Sequence, residues 1–417
     1  MTLLVRNSFA DKLKHLVSKL PEHFNPTDDG LQILTWSGEA IRSAIASCFH
    51  CPNDMHPLEL NECIRKATRA ALSRQNLSSE SFQSTLNATV DSFRQTPKIK
   101  YAAWTKINFN PAGAATYNFF GSKICIGSRL PSEMREWQAV LNRDGDGPVQ
   151  PIGGVLRCEG LFRSAWVAGY ELTDKIEKFG SFINFWNNTS SGLVFPESSR
   201  AIFKLGPTFA LYNYHAKKYD DTYWTNETYD AQLWSWGANK LSKLQNGIET
   251  LHKLNRKRNG NPLLPDALHC MALLNNSWLI PDPQRAVMSV WMCFERLLSH
   301  GSDGTRGGYE AIARRGGKFD ADSRSREYIL LALASHRNNA AHGKGIPGEA
   351  QVASALYQEC ARYLIWLIRW AIHNGSRFQT KNEFLEWVDI PKESERLLHR
   401  KKLHNLAMTF WHPRREQ

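Results

Sequence analysis

The chain has 417 residues, 42% of them hydrophobic and 11% aromatic, which is enough apolar material for two or three packed domains and excludes wholesale disorder. Lys and Arg number 52 against 40 Asp and Glu, and the formal net charge of +12 favours polyanionic partners such as nucleic acid. The N-terminus lacks the apolar run of a secretory signal, and the most apolar stretch, 364–368, is far shorter than the roughly 20 residues that a membrane span needs. We therefore expect a cytoplasmic protein with no membrane partner.

Periodicity and turn signals predict the elements in chain order. Apolar residues at helical spacing indicate helices, and strict alternation over 99–109 indicates a half-buried strand. Asp282 and Pro283 are typical of a helix start. The predicted helices are 9–20, 38–48, 58–72, 165–179, 233–254, 282–299, 328–342 and 352–372, and the predicted strands are 99–109, 120–126 and 201–212.

Proline-containing breaks at Thr96-Pro97 and Asn261-Pro262 divide the chain. The fold class that we predict is mainly α, with a mixed α+β N-terminal region before a C-terminal helical bundle. The segments are 1–96 (helical), 97–260 (mixed α/β), 262–375 (helical) and 376–417 (a basic C-terminal tail).

Eight cysteines are scattered along the chain, which is typical of a reduced protein and not of a disulfide scaffold. One tight group contains Cys48, Cys51, His56 and Cys63, and zinc prefers such thiolate and imidazole ligands. A second Cys-x2-Cys pair does not follow, and the histidine spacing differs from that of a zinc finger. We favour cysteines packed between helices, and the sequence leaves zinc at Cys48 and Cys51 open.

The predicted helix over 328–342 turns abruptly polar in its last turns, which contain Arg337, Asn338 and His342. Asn338 and His342 are four residues apart and therefore share a helix face. Arg337 lies about 140° round an ideal helix from His342, so its long side chain or a distorted last turn has to close that angle.

These residue types suit the cleavage of RNA. Histidine titrates near neutral pH and can act as general base or acid. Arginine stays charged and can stabilise the negative charge that develops on the phosphate. Asparagine can orient the imidazole or the phosphate without adding charge, and the set requires no metal and no cofactor. A cap or a solvated pair of polar residues is the plainer interpretation of Arg-x4-His alone.

The surrounding pattern resembles the HEPN superfamily, in particular the ApeA-like HEPN domains of bacterial antiphage defence. An early helix contains Phe294-Glu295-Arg296-Leu297-Leu298, a basic connector follows, and a later helix ends in Arg337-Asn338-Asn-Ala-Ala-His342-Gly343. The resemblance covers residues 265–375, about a quarter of the chain. It implies an α-helical bundle that dimerises, with two Arg-x4-His motifs in one cleft.

The resemblance also implies a metal-independent endoribonuclease, often directed at tRNA, that acts as a growth-arresting toxin during phage infection after an unknown phage-derived trigger. Arg337 and His342 would be catalytic, with Asn338 as the supporting polar residue. Glu295 matches the recurring acidic position, where a structural ion pair is an equal alternative. By analogy, residues 97–260 would form a sensor or regulatory domain.

Positive charge near these elements predicts RNA contacts. The basic run at the end of the 233–254 helix and the basic connector of the HEPN-like region supply the candidates, which are Arg256, Lys257, Arg258, Arg314, Arg315 and Lys318. The first alternative is a non-catalytic HEPN module that binds RNA or a protein partner. The second, a DNA-binding scaffold, has no recognition-helix signature to support it.

Overall fold

The computed structural model describes residues 3, 5–6, 9–28, 30–35, 37–111, 113–127, 153–190, 203–225, 234–236, 238–255, 260–280, 282–300, 308–341, 349–391 and 393–411. Within these ranges the fold is mainly α, as the sequence predicts, with fourteen helices and one six-stranded antiparallel sheet. None of the described helices is both long and apolar enough to cross a bilayer.

The described helices run along the whole chain. They are α1 (Ala10–Ser18), α2 (Leu20–His23), α3 (Ser37–Ser47), α4 (Pro57–Ser73), α5 (Ser79–Gln95), α6 (Ala165–Ser190), α7 (Ala238–Asn255), α8 (Leu264–Leu279), α9 (Pro283–Leu298), α10 (Gly308–Gly317), α11 (Ser323–Ala341), α12 (Glu349–Asn374), α13 (Lys381–Asp389) and α14 (Ser394–Trp411), with a 3-10 turn at Gly375–Arg377.

The described strands concentrate in the middle of the chain. They are β1 (Phe24–Thr27), β2 (Gly30–Ile33), β3 (Ile99–Ile107), β4 (Phe109–Pro111), β5 (Ala115–Phe119), β6 (Ser122–Gly127), β7 (Gly154–Phe162), β8 (Leu205–Asn213), β9 (Lys218–Thr225) and β10 (Trp234–Trp236). The large sheet has the order β5-β6-β7-β3-β8-β9, β1 pairs with β2, and β10 pairs in parallel with β4.

Helices α1 to α5 enclose a core of their own, in which Phe82, Leu86 and Ile64 are fully buried. Local signals fix the start of α4: its N-cap His56 accepts a hydrogen bond from Leu58 N at 3.1 Å, and Glu59 Oε2 accepts one from His56 N at 3.0 Å. This reciprocal capping satisfies backbone donors that a helix start leaves open. Residues 9–95 therefore pack as one helical unit, although the sequence did not predict α5.

Strand β3 lies in the interior of the sheet between β7 and β8, so the expectation of a half-buried strand is wrong. The period of two is real, because Tyr101, Ala103 and Ile107 face the main core. The opposite face is also covered: Ala102 and Trp104 lie in a second cluster and are at most 6% exposed. Alternation identifies the two faces of a strand but not what packs on each of them.

The mixed α/β segment and the C-terminal helices share one hydrophobic core. Ile176 and Phe179 of α6 are fully buried against the sheet, and the same cluster continues through Leu274 of α8 and Phe294 of α9. Asn184 of α6 donates a hydrogen bond to Asn275 Oδ1 of α8 at 2.7 Å. The predicted boundary near residue 261 thus lies between two helices, α7 and α8, that share one continuous core.

Asn261 links the start of α8 to the end of α12. It is 4% exposed, and its Nδ2 donates to the carbonyl of Ile372 at 2.9 Å, near the end of α12. Its Oδ1 accepts from Leu263 N at 3.0 Å. Both polar atoms of this buried amide have partners, so Asn261 fixes the start of α8 against α12.

The helical body extends beyond residue 375, where the sequence suggested that a basic tail begins. Phe378, Phe384, Leu385 and Val388 are buried in the main core. Only α14 has the character of a tail, because the described side chains of residues 394–406 are all exposed.

Candidate active site

Helix α9 presents Glu295 from a strongly amphipathic segment. The Asp282 side chain accepts a hydrogen bond from Gln284 N at 2.9 Å and caps the helix, and Pro283 occupies its first position. Trp291 and Phe294 on the inner face are fully buried. The Glu295 side chain lies at the edge of this face and is 31% exposed.

Helix α11 carries Arg337 near its end. Leu330, Leu333 and Ala334 bury the middle of this helix against the core, and the residues that follow are polar. The Arg337 side chain is 26% exposed, so it is half-buried and still reachable from solvent. The helix is described as far as Ala341.

The structure brings Glu295 and Arg337 together, although they are 42 positions apart in the sequence. Arg337 Nη2 lies 3.9 Å from Glu295 Oε1, at the outer limit of an ion pair. The same carboxylate oxygen accepts a hydrogen bond from Trp291 Nε1 at 2.7 Å. Trp291 therefore fixes the carboxylate, and the carboxylate faces the guanidinium.

Tyr309 of α10 is a member of this group that sequence reasoning missed. Arg337 Nη1 donates a hydrogen bond to Tyr309 Oη at 2.9 Å, and the Tyr309 ring packs edge-on against Trp291 with 5.6 Å between centroids. Nothing in the periodicity of the chain distinguishes Tyr309, which follows a glycine-rich stretch. Three helices thus meet at Arg337, whose remaining N–H groups have no hydrogen-bond acceptor among the residues described.

Asn338 follows Arg337, and its exposed side chain has no hydrogen bond to any other described residue. His342 lies outside the described residues, as do Gly343, Gly345 and Pro347. The described part of the site therefore consists of a guanidinium held by Tyr309 and Glu295, and of the exposed amide of the next residue, Asn338. Such a guanidinium can bind a phosphate with a smaller loss of side-chain entropy than a free arginine.

Arg315 was predicted to contact RNA, and this prediction is wrong. Its side chain is 5% exposed, its Nη2 donates to Asp389 Oδ2 at 2.9 Å, and its Nη1 donates to Leu298 O at 2.8 Å. A guanidinium that is buried and bound to a carboxylate holds α10, α9 and α13 together and has no surface to offer to RNA. Positive charge in the sequence did not distinguish it from its neighbour.

The other predicted contacts differ among themselves. Arg314 is 56% exposed and lies 3.7 Å from Asp389, so it remains on the surface. Lys318 Nζ donates to the carbonyls of Val388 and Ile390 at 2.7 and 2.9 Å, so its ammonium group binds the C-terminal end of α13. Arg256, Lys257 and Arg258 lie outside the described residues.

The glycines before Lys318 are not a connector. Gly316 and Gly317 are buried at the end of α10, and a Cβ at either position would collide with Leu330 or with the Ser323 carbonyl of α11. Tyr363 Oη of α12 also donates to Gly316 O at 2.6 Å. These glycines allow the close approach of α10 to α11 that puts Tyr309 next to Arg337.

The cysteine and histidine group near residue 50 has other partners. Cys51 Sγ donates to Met55 O at 3.3 Å, and His56 uses Nδ1 to cap α4 while its Nε2 lies 3.0 Å from Glu171 Oε1. Burial raises the pKa of Cys63 to about 12, which disfavours the thiolate that a metal would need. Across the described ranges no three or more His, Cys, Asp or Glu residues are grouped to hold a metal ion.

No family model matches the chain, and no curated protein or solved structure matches it significantly.

Proposed function

We propose that this protein is a metal-independent endoribonuclease of the HEPN type, with Arg337 and His342 as its catalytic residues. The observation that carries the proposal is the guanidinium of Arg337, half-buried and held by Tyr309 and Glu295 at the end of α11. His342 follows the last described residue of that helix by one position. An ordered cation can stabilise the phosphate charge and a histidine can transfer protons, so the two residue types together support RNA cleavage without a metal.

The reaction that these groups support is attack of the ribose 2′-oxygen on the adjacent phosphorus. His342 takes the 2′-hydroxyl proton, the bond from phosphorus to the 5′-oxygen breaks, and the protonated His342 of the second subunit donates a proton to that leaving oxygen. Arg337 stabilises the extra negative charge on the phosphate oxygens during the transfer. The products are a 2′,3′-cyclic phosphate and a free 5′-hydroxyl.

Glu295 and Tyr309 act through Arg337 and are positioning residues in this scheme. Both residues also contact the buried Trp291, so they link the guanidinium to the core of the helical body. The contact of Glu295 with Arg337 supports the ion-pair role that the sequence left open for it. Asn338, exposed beside Arg337, would orient the phosphate or the imidazole.

A homodimer through residues 265–375 is part of the proposal, because two proton-transfer groups on opposite sides of phosphorus need two imidazoles. The contact between the two subunits needs exposed apolar side chains. Trp291 of α9 is fully buried within its own subunit, whereas Trp366 of α12 is 44% exposed and can take part in the contact. Excess His342→Ala protein mixed into wild type should form heterodimers and lower the activity per wild-type subunit. First-order dependence on protein without such poisoning would contradict the composite site.

The second candidate is a non-catalytic module that binds RNA or a protein partner. It is favoured by the same contacts, because an arginine bound by Tyr309 and facing Glu295 also ties three helices together. Purified protein incubated with total RNA in excess EDTA separates the two: cleavage that His342→Ala abolishes supports the enzyme. RNA that is bound but stays intact supports the module.

Cytoplasmic location, action against phage, tRNA as the preferred substrate and a phage-derived trigger complete the proposal. They rest on the resemblance of residues 265–375 to ApeA-like HEPN domains and on the net charge of +12. Infection of cells that carry the wild-type protein or the His342→Ala variant tests them together. Protection that depends on His342, accompanied by cut tRNA, is the expected result.

A further inference from the structure

A cavity of about 540 Å³ lies between the N-terminal helical unit and the start of α6. Helices α3 and α4 form one wall, and the end of β7 with the first residues of α6 forms the other. His56 Nε2 lies 3.0 Å from Glu171 Oε1, and this contact joins the two walls close by. The volume falls within the range of small-ligand sites, about 300–1,000 Å³. Its lining residues are Arg42, Leu58, Asn61, Glu62, Arg65, Arg163, Ser164, Ala165 and Trp166.

Three arginines converge on this cavity, and two of them have no direct ion pair with a described residue, although the charge of Asp54 acts on Arg163. Arg42 pairs with Glu39. Arg65 and Arg163 have no hydrogen bond or ion pair with any residue that the structure describes, and Arg163 Nε is buried without an acceptor. Like charges held together without an anion repel each other, so this arrangement favours a bound anion.

The pKa of Arg42 reports the same crowding. Burial lowers it, the Glu39 charge raises it, and the positive charge of Arg65 lowers it further. An anion bound between the two guanidinium groups would relieve both burial of an incompletely paired charge and their mutual repulsion.

Polar groups of the lining point to a ligand as well. Ser164, which precedes α6, is only 8% exposed and lines the cavity with its hydroxyl group as a possible ligand. Asn61 Oδ1 is buried without a donor on the opposite wall. The free N–H groups at the start of the 26-residue helix α6 lie beside Ser164 and favour negative charge.

The rim of the cavity suits an aromatic ring and hydroxyl groups. Trp166 is 53% exposed on the first turn of α6 and offers a face for stacking. Glu62 is the acidic group of the lining, and Lys66 lies 3.4 Å from it, so its charge is partly balanced. A carboxylate in this place is an acceptor for ribose hydroxyls, as in other nucleotide sites.

We propose that this cavity binds a mononucleotide, with the phosphate held by Arg42, Arg65 and Arg163 and the base stacked on Trp166. The volume of about 540 Å³ and the one aromatic side chain of the lining favour one nucleotide over a polynucleotide strand, which is bound along a longer groove with several stacking residues. The site is independent of Arg337 and gives the N-terminal part of the chain a ligand of its own.

Calorimetric titration of the full-length protein with AMP, ATP, GTP, adenosine and inorganic phosphate tests the proposal. We expect the nucleotides to bind, and adenosine and phosphate each to bind at least about tenfold more weakly than AMP, because each lacks one half of the contacts. Arg65→Ala and Arg163→Ala should each weaken AMP binding about tenfold, the scale of one charge-assisted hydrogen bond. Trp166→Ala should weaken AMP binding and leave phosphate binding unchanged.

Arg74→Ala is the matched control, since Arg74 is an exposed arginine at the end of the same helix α4 and does not line the cavity; its AMP affinity should equal that of wild type. Arg65 and Trp166 are both exposed, so these variants keep the test valid if Arg163→Ala fails to fold. Three results would overturn the proposal: no nucleotide binding at millimolar concentration, unchanged AMP affinity in Arg65→Ala, or binding of a single-stranded oligoribonucleotide that AMP does not displace.

Discussion

Tyr309 accepts a hydrogen bond from Arg337 Nη1 at 2.9 Å across 28 positions of sequence, and this bond ties α10 to the last turns of α11. Because Glu295 faces the same guanidinium from α9, the orientation of Arg337 depends on the packing of three helices. A side chain held in this way loses less entropy when it binds a phosphate than a free surface arginine does.

Tyr309→Phe isolates the hydroxyl and leaves the ring against Trp291. We expect the single-turnover cleavage rate to fall about tenfold, less than the loss from removing Arg337 itself, with a stability change of about 1 kcal/mol. Tyr328→Phe is a matched control, because Arg324 Nε donates to Tyr328 Oη at 3.0 Å on the exposed part of the same helix α11. Equal rates for the two variants would show that the Tyr309 contact does not position Arg337.

Substitutions of Glu295 separate positioning from direct chemistry. Glu295→Gln keeps an oxygen that can accept from Trp291 Nε1, so we expect a loss of only a few fold in rate. Glu295→Ala leaves that indole N–H without its acceptor and should cost about 1–2 kcal/mol in the free energy of unfolding as well as more activity. Urea denaturation and single-turnover cleavage measure the two effects. If Glu295→Gln were as inactive as Arg337→Ala, Glu295 would take part in the reaction itself.

Local signals account for what the sequence predicts well. Asp282 and Pro283 define the start of α9 because capping is decided within one helical turn. Tyr309 and Arg337, by contrast, meet only through the packing of α10 on α11, which depends on two buried glycines whose neighbours are set by the tertiary fold. The predicted RNA contact of Arg315 is wrong for the same reason, since its partner Asp389 comes 74 positions later in the sequence.

Arg314 and Arg315 should respond differently to the same substitution. Arg315→Ala removes one partner of a buried ion pair, so we expect a loss of about 3 kcal/mol in the free energy of unfolding and no direct change in RNA affinity. Arg314→Ala at its exposed neighbour should cost less than about 1 kcal/mol and weaken RNA binding. Chemical denaturation and RNA titration of both variants provide the comparison, and equal stability would contradict a structural role for Arg315.

The Arg315–Asp389 pair should make stability depend on pH in the acidic range. Burial raises the pKa of Asp389, but hydrogen bonding to Arg315 and the charges of Arg315, Arg314 and Lys318 outweigh it, so the net pKa is below its ordinary value. A carboxyl whose pKa is lowered on folding contributes stability above its unfolded pKa of about 3.9, and this stability is lost as the pH falls through the folded pKa. The stability gap between wild type and Asp389→Asn should therefore narrow below about pH 4. A gap of constant size from pH 7 to pH 3 would contradict this assignment.

Helix α14 is the exposed basic element whose contribution to RNA binding can be measured alone. Replacing Arg396, Arg400, Lys401 and Lys402 with Gln removes four charges and keeps residues that favour a helix. We expect weaker RNA binding and a shallower dependence of affinity on salt, by up to about 0.7 in logarithmic slope per lost phosphate contact. Single-turnover cleavage at saturating protein should be unchanged. An unchanged salt slope would mean that these side chains are only solvated.

Single-turnover cleavage of one defined RNA in excess EDTA, by wild type, Arg337→Ala and His342→Ala side by side, tests the central claim most directly. We expect that wild type cuts without metal and leaves a 2′,3′-cyclic phosphate, and that each variant is slower by about 100-fold or more, the scale of losing a charge stabiliser or a general base. Asn338→Ala should lose less. Cleavage by either variant at the wild-type rate, or an absolute requirement for Mg²⁺ or Mn²⁺ in the wild type, would contradict it.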